Sequence, residues 1–485
     1  MASSILSAPL TRAVTPEWVQ DAVFYQIFPD RFARSSRAPT GVNLESWNSP
    51  PTTYGFKGGD LDGIIEHLDY LEDLGVTALY LNPIFRSTAN HRYHTHDYYQ
   101  VDPLLGGNGA FDRLLVAAHR AGMRVILDGV FNHASRGFYQ FSSILENGDS
   151  SPYRDWFHVY SWPPNPYGPG DPGYDSWWGH PALPKFNTAS FEVREFLWDV
   201  GQYWIERGID GWRLDVPNEI DDDAFWQEFR RRVKAANGDA YIVGEIWGDA
   251  ARWLQGDQFD AVMNYPLTRA CLGFFAGQTL NRNALDAGGL EGIEMLDGGS
   301  FAAEIATLLA RYVPEITRSQ LNLLGSHDTP RALTSAGGDE SAIRLALLFL
   351  MTYPGAPCIY YGDEIGMTGG PDPGCRGSFH WDPAGWNESL RAYVKQCVAL
   401  RHTYPALRRG TFENFVVGGN LYAFIRTLGD TRAIVAFNVG PERVQWSLPA
   451  GAWRQVLGTD LTAEGTTSQL PPRSGVVLVD ETWSN

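Results

Sequence analysis

The stretch FEVREFLWDVGQYWIERG followed by IDGWRLDV (191–216) decides the architecture. Val193, Phe196, Leu197, Val200, Tyr203 and Trp204 recur at i, i+3, i+4, i+7, i+10 and i+11, an apolar stripe that must cover another layer. Gly208 suits the left-handed residue that closes a helix. The next residues, IDGWRL, read as a strand that is apolar throughout and ends on Asp215. The same cadence of helix, glycine and strand recurs in DLDGIIEHLDYLEDLG–VTALYLNP (60–83) and in FDRLLVAAHRAG–MRVILDGV (111–130). Continuous apolar strands joined by helices indicate a parallel sheet covered on both faces.

Eight such strands are readable: VFYQIFP (23–29), VTALYL (76–81), RVILDG (124–129), IDGWRL (209–214), YIVGE (241–245), FDAVMN (259–264), LNLLG (321–325) and CIYYG (358–362). Eight is the number that closes a (β/α)8 TIM barrel, whose active sites lie where the strands end. The rival is a doubly wound open sheet, but no Gly-rich dinucleotide fingerprint follows the first strand. Residues 18–133 and 191–405 are therefore assigned to an α/β barrel. Residues 134–190, rich in Pro, Gly, Tyr and Trp, form an inserted B lobe after strand three, and loops this long are usually functional. From 406 to 485 short strands alternate with turns, as in an antiparallel C-terminal β-sandwich domain.

The 56 acidic and 38 basic side chains give a net charge of −18, which argues against nucleic-acid and anionic-membrane partners. No apolar run is long enough to span a bilayer. The opening MASSILSAPLTRAVTP lacks the pattern of a signal peptide, and the four widely spaced cysteines form no disulfide or zinc pattern. A cytoplasmic protein with free thiols is the expectation. Seventeen Trp and 22 Tyr suit stacking on sugar faces as well as core packing.

Three acids end apolar strands: Asp215, Glu245 and Asp328. A carboxylate buried at a strand end is costly, so three such placements need a common cause. Glycosidic-bond hydrolysis supplies one, because it uses an ionised and a protonated carboxyl on either side of the sugar. Arg213, two residues before Asp215, is expected to keep it ionised; the apolar strand and Ile246–Trp247 are expected to keep Glu245 protonated. His133 and His327 fall at the same rim. A metal site at His91, His94 and His96 is the competing reading of HRYHTHD (91–97), but no cysteine or HExxH spacing accompanies it.

Four ordered strand-end segments, DGVFNH (128–133), GWRLDVPNE (211–219), GEIW (244–247) and LLGSHD (323–328), resemble the motifs of the α-amylase family of glycoside hydrolases. The resemblance covers nearly the whole chain and implies a retaining double displacement on α-glucosidic bonds. It gives Asp215 the place of the nucleophile, Glu245 that of the acid/base and Asp328 that of the acid gripping sugar hydroxyls. Arg213, His133 and His327 would orient the nucleophile and bind the sugar, Tyr93 would stack beneath it, Asp128 would support the network and Trp247 would join the substrate contacts. LPKFN (183–187) is similar to a segment of neopullulanases, cyclomaltodextrinases and maltogenic amylases, so cyclodextrins and maltooligosaccharides are the expected partners. An α-1,6-glucosidase, an α-glucosyltransferase or a non-catalytic sugar-binding protein on the same barrel are the alternatives.

No metal or cofactor is expected: ARSSRAPTG follows FPDRF where that group often has an acidic calcium loop, and Asn218–Glu219 stand where many α-amylases have Lys-His beside calcium. The chain begins almost at strand one, where the group has an N-terminal β-domain, so the dimer-completed site usual there is not carried over and a homodimer stays open.

Overall fold

The computed structural model describes residues 14–458, 462–464 and 467–480. The leader reading rests on the opening stretch, and residues 1–13 of it lie outside the described ones. Eight parallel strands form one sheet: β1 (Phe24–Ile27), β2 (Ala78–Leu81), β3 (Arg124–Gly129), β4 (Gly211–Leu214), β5 (Tyr241–Gly244), β6 (Ala261–Val262), β7 (Leu321–Leu323) and β8 (Ala356–Tyr360). They run in the order β6-β5-β4-β3-β2-β1-β8-β7, and a parallel bridge from Met263 to Leu321 joins the two ends into a barrel. The expected strands are all present. The last begins two residues earlier than read, because Ala356 and Pro357 pair with Leu321 and Asn322.

Helices cover the outside: α1 (Leu61–Ile65) and α2 (Leu68–Leu74), α3 (Gly107–Arg120), α4 (Phe191–Glu206), α5 (Asp223–Ala236), α6 (Tyr265–Phe275), α7 (Gly298–Ala310), α8 (Glu340–Thr352) and α9 (Glu388–Thr403). No helix links β5 to β6 among the described residues. In α4 the stripe turns inward, with Val193, Leu197, Val200 and Trp204 buried, and Gly208 at φ 111° ends it.

Side chains alternate across each strand. Leu79, Leu81, Val125, Leu127, Trp212 and Leu214 face the helices, while Ala78, Tyr80, Ile126, Tyr241, Val243, Leu321, Leu323, Ala356 and Cys358 fill the barrel. Gly211 shares the inward parity, and a Cβ there would lie 2.2 Å from Tyr241 O. A larger residue would push β4 off β5, so the sequence pattern G-W-R-L-D spends its first inward position on glycine and its next two on charge.

Between β3 and α4 the chain carries a short helix (Tyr139–Asn147), and Phe141, Phe157, Tyr174 and Phe186 pack ring to ring there. A bridge between His133 and Lys185 ties this segment to the end of β3. After α9, β9 (Thr411–Gly418), β10 (Leu421–Leu428), β11 (Thr431–Asn438), β12 (Val444–Ser447), β13 (Trp453–Gly458), β14 (Thr462–Glu464), β15 (Thr467–Leu470) and β16 (Ser474–Asp480) follow. They make a five-stranded antiparallel sheet, β9-β10-β11-β16-β13, and a three-stranded one, β12-β15-β14. Phe437 of β11 packs on Phe275 and Phe349, seating the larger sheet on α6 and α8.

Candidate active site

Four carboxylates meet at one mouth, three of them brought there by strand parity. Asp128 on β3 and Arg213 on β4 point inward, and Asp215 and Glu245 follow at the next inward positions. Arg213 is fully buried and touches three of the acids. Its Nη1 donates to Asp128 Oδ1 at 2.8 Å and to Asp215 Oδ1 at 3.0 Å, while Nη2 lies 2.9 Å from Glu245 Oε2. One guanidinium thus touches Asp215 and Glu245, the expected nucleophile and acid/base.

Each acid has its own further partners. Asp128 Oδ2 accepts from the hydroxyls of Tyr80 and Tyr93, both at 2.8 Å. Glu245 accepts from Trp247 Nε1 at 3.1 Å and from the Val216 amide at 3.1 Å. That amide is aimed by an unusual backbone: Val216 sits at φ 35°, a left-handed conformation that strains a β-branched residue and marks the site. Asp328 pairs with His327 Nε2 at 3.0 Å and with Arg376 Nη2 at 3.3 Å.

The two histidines are placed differently. His327 stacks on Tyr93 with centroids 5.4 Å apart, its Nε2 lies 2.6 Å from the Tyr93 hydroxyl, and its Nδ1 takes the amide of Gln26 at 2.8 Å. Because the Gln26 amide must donate, Nε2 carries the proton, and the relay runs from Gln26 through His327 and Tyr93 to Asp128. Burial holds His327 well below the usual imidazole range and takes His133 down to about 3, so both are neutral at ordinary pH. His133 packs against Trp177 from the inserted segment.

Arg213 is expected to keep Asp215 ionised, and burial works against it. Burial pushes Asp215 well above the carboxylate range; Arg213 opposes this, while Glu245, Asp128 and Asp328 add to it. Arg213 does not serve Asp215 alone, since it also touches Asp128 and Glu245. Nor is Glu245 enclosed by apolar groups only, because an indole N–H, an amide and a guanidinium reach it. Burial and the Glu245 charge take Asp328 up to about 7, against the pull of Arg376 and Arg213.

The histidine-rich turn does not gather into a metal site. His91 Nδ1 accepts the Tyr93 amide, and His96 Nε2 meets Ser135 Oγ at 3.0 Å; among the described residues no group of three His, Cys, Asp or Glu could hold an ion. Every residue singled out from the sequence lies at this mouth or braces it, Trp247 by stacking flat on Tyr265 at 3.7 Å. Four others were missed. Gln26 and Asn82 are polar breaks in apolar strands and Tyr80 is an inward phenol on β2, signals that inward parity could have flagged. Arg376 ends a single 3-10 turn (Gly374–Arg376) well after β8 and carries no such signal.

A barrel with paired carboxylates bridged at its C-terminal mouth supplies the groups that a glycoside hydrolase uses. Residues 26–398 match the model of the alpha-amylase catalytic domain, and the chain belongs to that family. It is similar to a cyclomaltodextrinase of Geobacillus thermopakistaniensis, 45% identical over 96% of this chain and 78% of that one. Among solved structures, the debranching enzyme of Nostoc punctiforme superposes with a TM-score of 0.89 at 47% identity, covering 96% of this chain and 100% of the other. The cyclic α-maltosyl-(1→6)-maltose hydrolase of Arthrobacter globiformis does so with a TM-score of 0.86 at 39% identity, over 96% and 99%.

Proposed function

We propose that this protein hydrolyses α-glucosidic bonds in cyclodextrins and maltooligosaccharides with retention, and passes part of the product to sugar acceptors. The observation that carries the reading is the single buried guanidinium of Arg213 in contact with Asp128, Asp215 and Glu245. In the first step Asp215 attacks the anomeric carbon while Glu245 gives its proton to the departing oxygen. In the second, Glu245 takes a proton from water, which displaces Asp215; a sugar hydroxyl in the place of water gives transfer. Asp328, exposed over 27% of its side chain, is free to grip hydroxyls of the distorted ring. Tyr93 supplies the ring beneath the sugar.

The reading assigns no metal a part. The oxygen-rich turn after β1 is filled by the chain's own cation: buried Lys57 Nζ donates to Ser46 O and Ser49 O at 2.7 Å and to Ser49 Oγ at 2.6 Å. Four buried free cysteines suit a reducing, cytoplasmic setting. A second reading, cleavage of α-1,6 bonds, is favoured because the Nostoc and Arthrobacter enzymes match from end to end. Product analysis on β-cyclodextrin, pullulan, starch and maltotriose, with Asp215→Asn as the blank, tests both. Faster attack on cyclodextrin than on starch supports the first reading, panose from pullulan points to α-1,4 cleavage, and maltotriose from pullulan points to α-1,6 cleavage. No turnover of any of the four overturns the proposal.

A further inference from the structure

Tyr93 reaches three elements of the mouth, yet no barrel strand carries it. Its hydroxyl donates to Asp128 Oδ2 at 2.8 Å and accepts from Asn82 Nδ2 at 3.1 Å and His327 Nε2 at 2.6 Å. A hydroxyl has one proton and two lone pairs, so all of its bonding positions are filled at once and any shift of the ring breaks a bond. Tyr93 lies in residues 88–94, which join the antiparallel pair Phe85–Ser87 and Thr95–Val101 after β2. That pair changes register twice within three residues, so strand parity does not aim the phenol.

The residue before it has the means to do so. Arg92 is buried, and its backbone lies at φ 59°, a left-handed conformation that persists for a long side chain only where the surroundings impose it. Asp30 Oδ1 lies 3.5 Å from Nη1, Asp102 Oδ2 lies 3.8 Å from Nε, and the ring of Phe56 is 5.3 Å from Cζ. Asp30 belongs to the turn Pro29–Phe32 after β1, and Asp102 directly follows Thr95–Val101. Nη1 also donates to Asn90 O, and the Asn90 amide donates to Thr53 O and Gly55 O at 3.0 and 2.8 Å. One cation thus joins the start of the turn and the end of the hairpin to the chain after β1. Separations of 3.5 and 3.8 Å are charge contacts rather than forked hydrogen bonds, and Nε and Nη2 make no hydrogen bond among the described residues. The pocket therefore uses a buried positive charge more than the shape of the guanidinium.

We propose that Arg92 is a positioning residue: it holds the 88–94 turn so that the Tyr93 phenol rests on Asp128 and His327. It acts through Tyr93, from the side of the turn that faces Asp30 and Asp102. The role rests on the α-glucan reading and adds to it that the ring beneath the sugar is aimed by a charge outside the mouth. The phenol fixes the Asp128 carboxylate, whose Arg213 partner also touches Asp215 and Glu245, so a displaced turn disturbs the reacting acids. Misplacement of this kind slows turnover more than it weakens binding.

The test is a double-mutant cycle on β-cyclodextrin with Arg92→Gln, Tyr93→Phe and the two together, beside Arg92→Lys. Arg92→Gln should lower kcat roughly 10–100-fold while KM moves less than about threefold. In the Tyr93→Phe background the same change should cost less than about threefold, since the hydroxyl it aims is already gone. Arg92→Lys keeps the charge and should stay within about threefold of wild type. An equal factor with and without the hydroxyl would mean that Arg92 only neutralises Asp30 and Asp102 for the fold. Unchanged kcat in Arg92→Gln would mean that it aims nothing, and either result overturns the role. Where Arg92→Gln does not fold, Asp102→Asn loosens the same pocket, and its loss of kcat must likewise shrink without the hydroxyl or the role is overturned. Wild-type protein that turns over neither β-cyclodextrin nor maltotriose removes the α-glucan reading itself, and the positioning role falls with it.

Discussion

The two ends of the barrel both bury arginine, but with opposite company. At the C-terminal mouth Arg213 faces Asp128, Asp215 and Glu245. At the other end Arg401 donates to the carbonyls of Met351, Gly355 and Gln20, and Arg426 to those of Thr352, Leu407, Gly410 and Thr411. Carbonyls neither titrate nor react, so the lower guanidiniums act as staples between barrel, α8 and β10. Burial holds both of them below the usual guanidinium range. A buried arginine by itself therefore does not mark an active site. What separates chemistry from architecture is whether its partners can exchange a proton or form a bond.

The strongest way to break that contrast is to neutralise each end in turn. Asp215→Asn and Glu245→Gln should each lower kcat by about 10⁴-fold or more, measured on β-cyclodextrin. Asp215→Asn should also melt no lower than wild type at pH 7. Burial raises the folded pKa of Asp215, so its charge costs stability above the unfolded pKa, and Asn removes that cost. At the lower end Arg426→Met should do the reverse. It strands several buried carbonyls at about 1–3 kcal/mol each, so the melting temperature should drop by several degrees while kcat stays within twofold. An Arg426→Met protein that melts normally but has lost turnover would dissolve the distinction.

The legibility of the two ends in the sequence was unequal for a physical reason. Strand parity put Arg213 and Asp215 on one face, and an apolar run interrupted by charge is visible in any single chain. The barrel followed from the helix–glycine–strand cadence. Gln26 and Asn82 obeyed the same parity yet looked like ordinary polar residues, because the partner of Gln26, His327, lies far along the chain and that of Asn82, Tyr93, sits in a turn with no period to read. Arg376 reaches Asp328 from a three-residue 3-10 turn, too short to show a period. Protonation was the least legible property. The pairing of Arg213 with Asp215 could be read from spacing, but its sharing with Glu245 and Asp128 depends on how three strands meet.

A smaller and sharper effect concerns Asp328, which burial and the Glu245 charge take up to about 7. Arg376 opposes that rise, so removing its charge must lift the pKa further. If ionised Asp328 is the form that grips the sugar, activity falls as pH drops through this value. Arg376→Gln should then move the acidic limb of the kcat/KM profile upward, toward alkaline pH. A limb that stays in place, or moves down, would separate Asp328 from that titration.

The smallest effect probes a carboxyl that resembles the proposed catalytic ones only in following a barrel strand. Glu364 lies in the 3-10 turn Asp363–Ile365 shortly after β8, and it is fully buried. It faces outward, accepting from Tyr70 at 2.6 Å, Tyr25 at 2.9 Å and the Gly362 amide at 2.9 Å, with no ion pair among the described residues. Burial takes it up to about 7 from an ordinary 4.5. Between those two values the unfolded chain has released the proton and the folded one retains it, so stability falls as pH rises through the window and levels off above it. Glu364→Gln cannot titrate and should escape that fall. Its melting temperature relative to wild type should therefore rise by a few degrees between pH 4.5 and 7, then stay constant, with kcat unchanged. A difference that ignores pH would show that this carboxyl is ionised in the fold, and the strand-end acids would then differ by geometry rather than by proton.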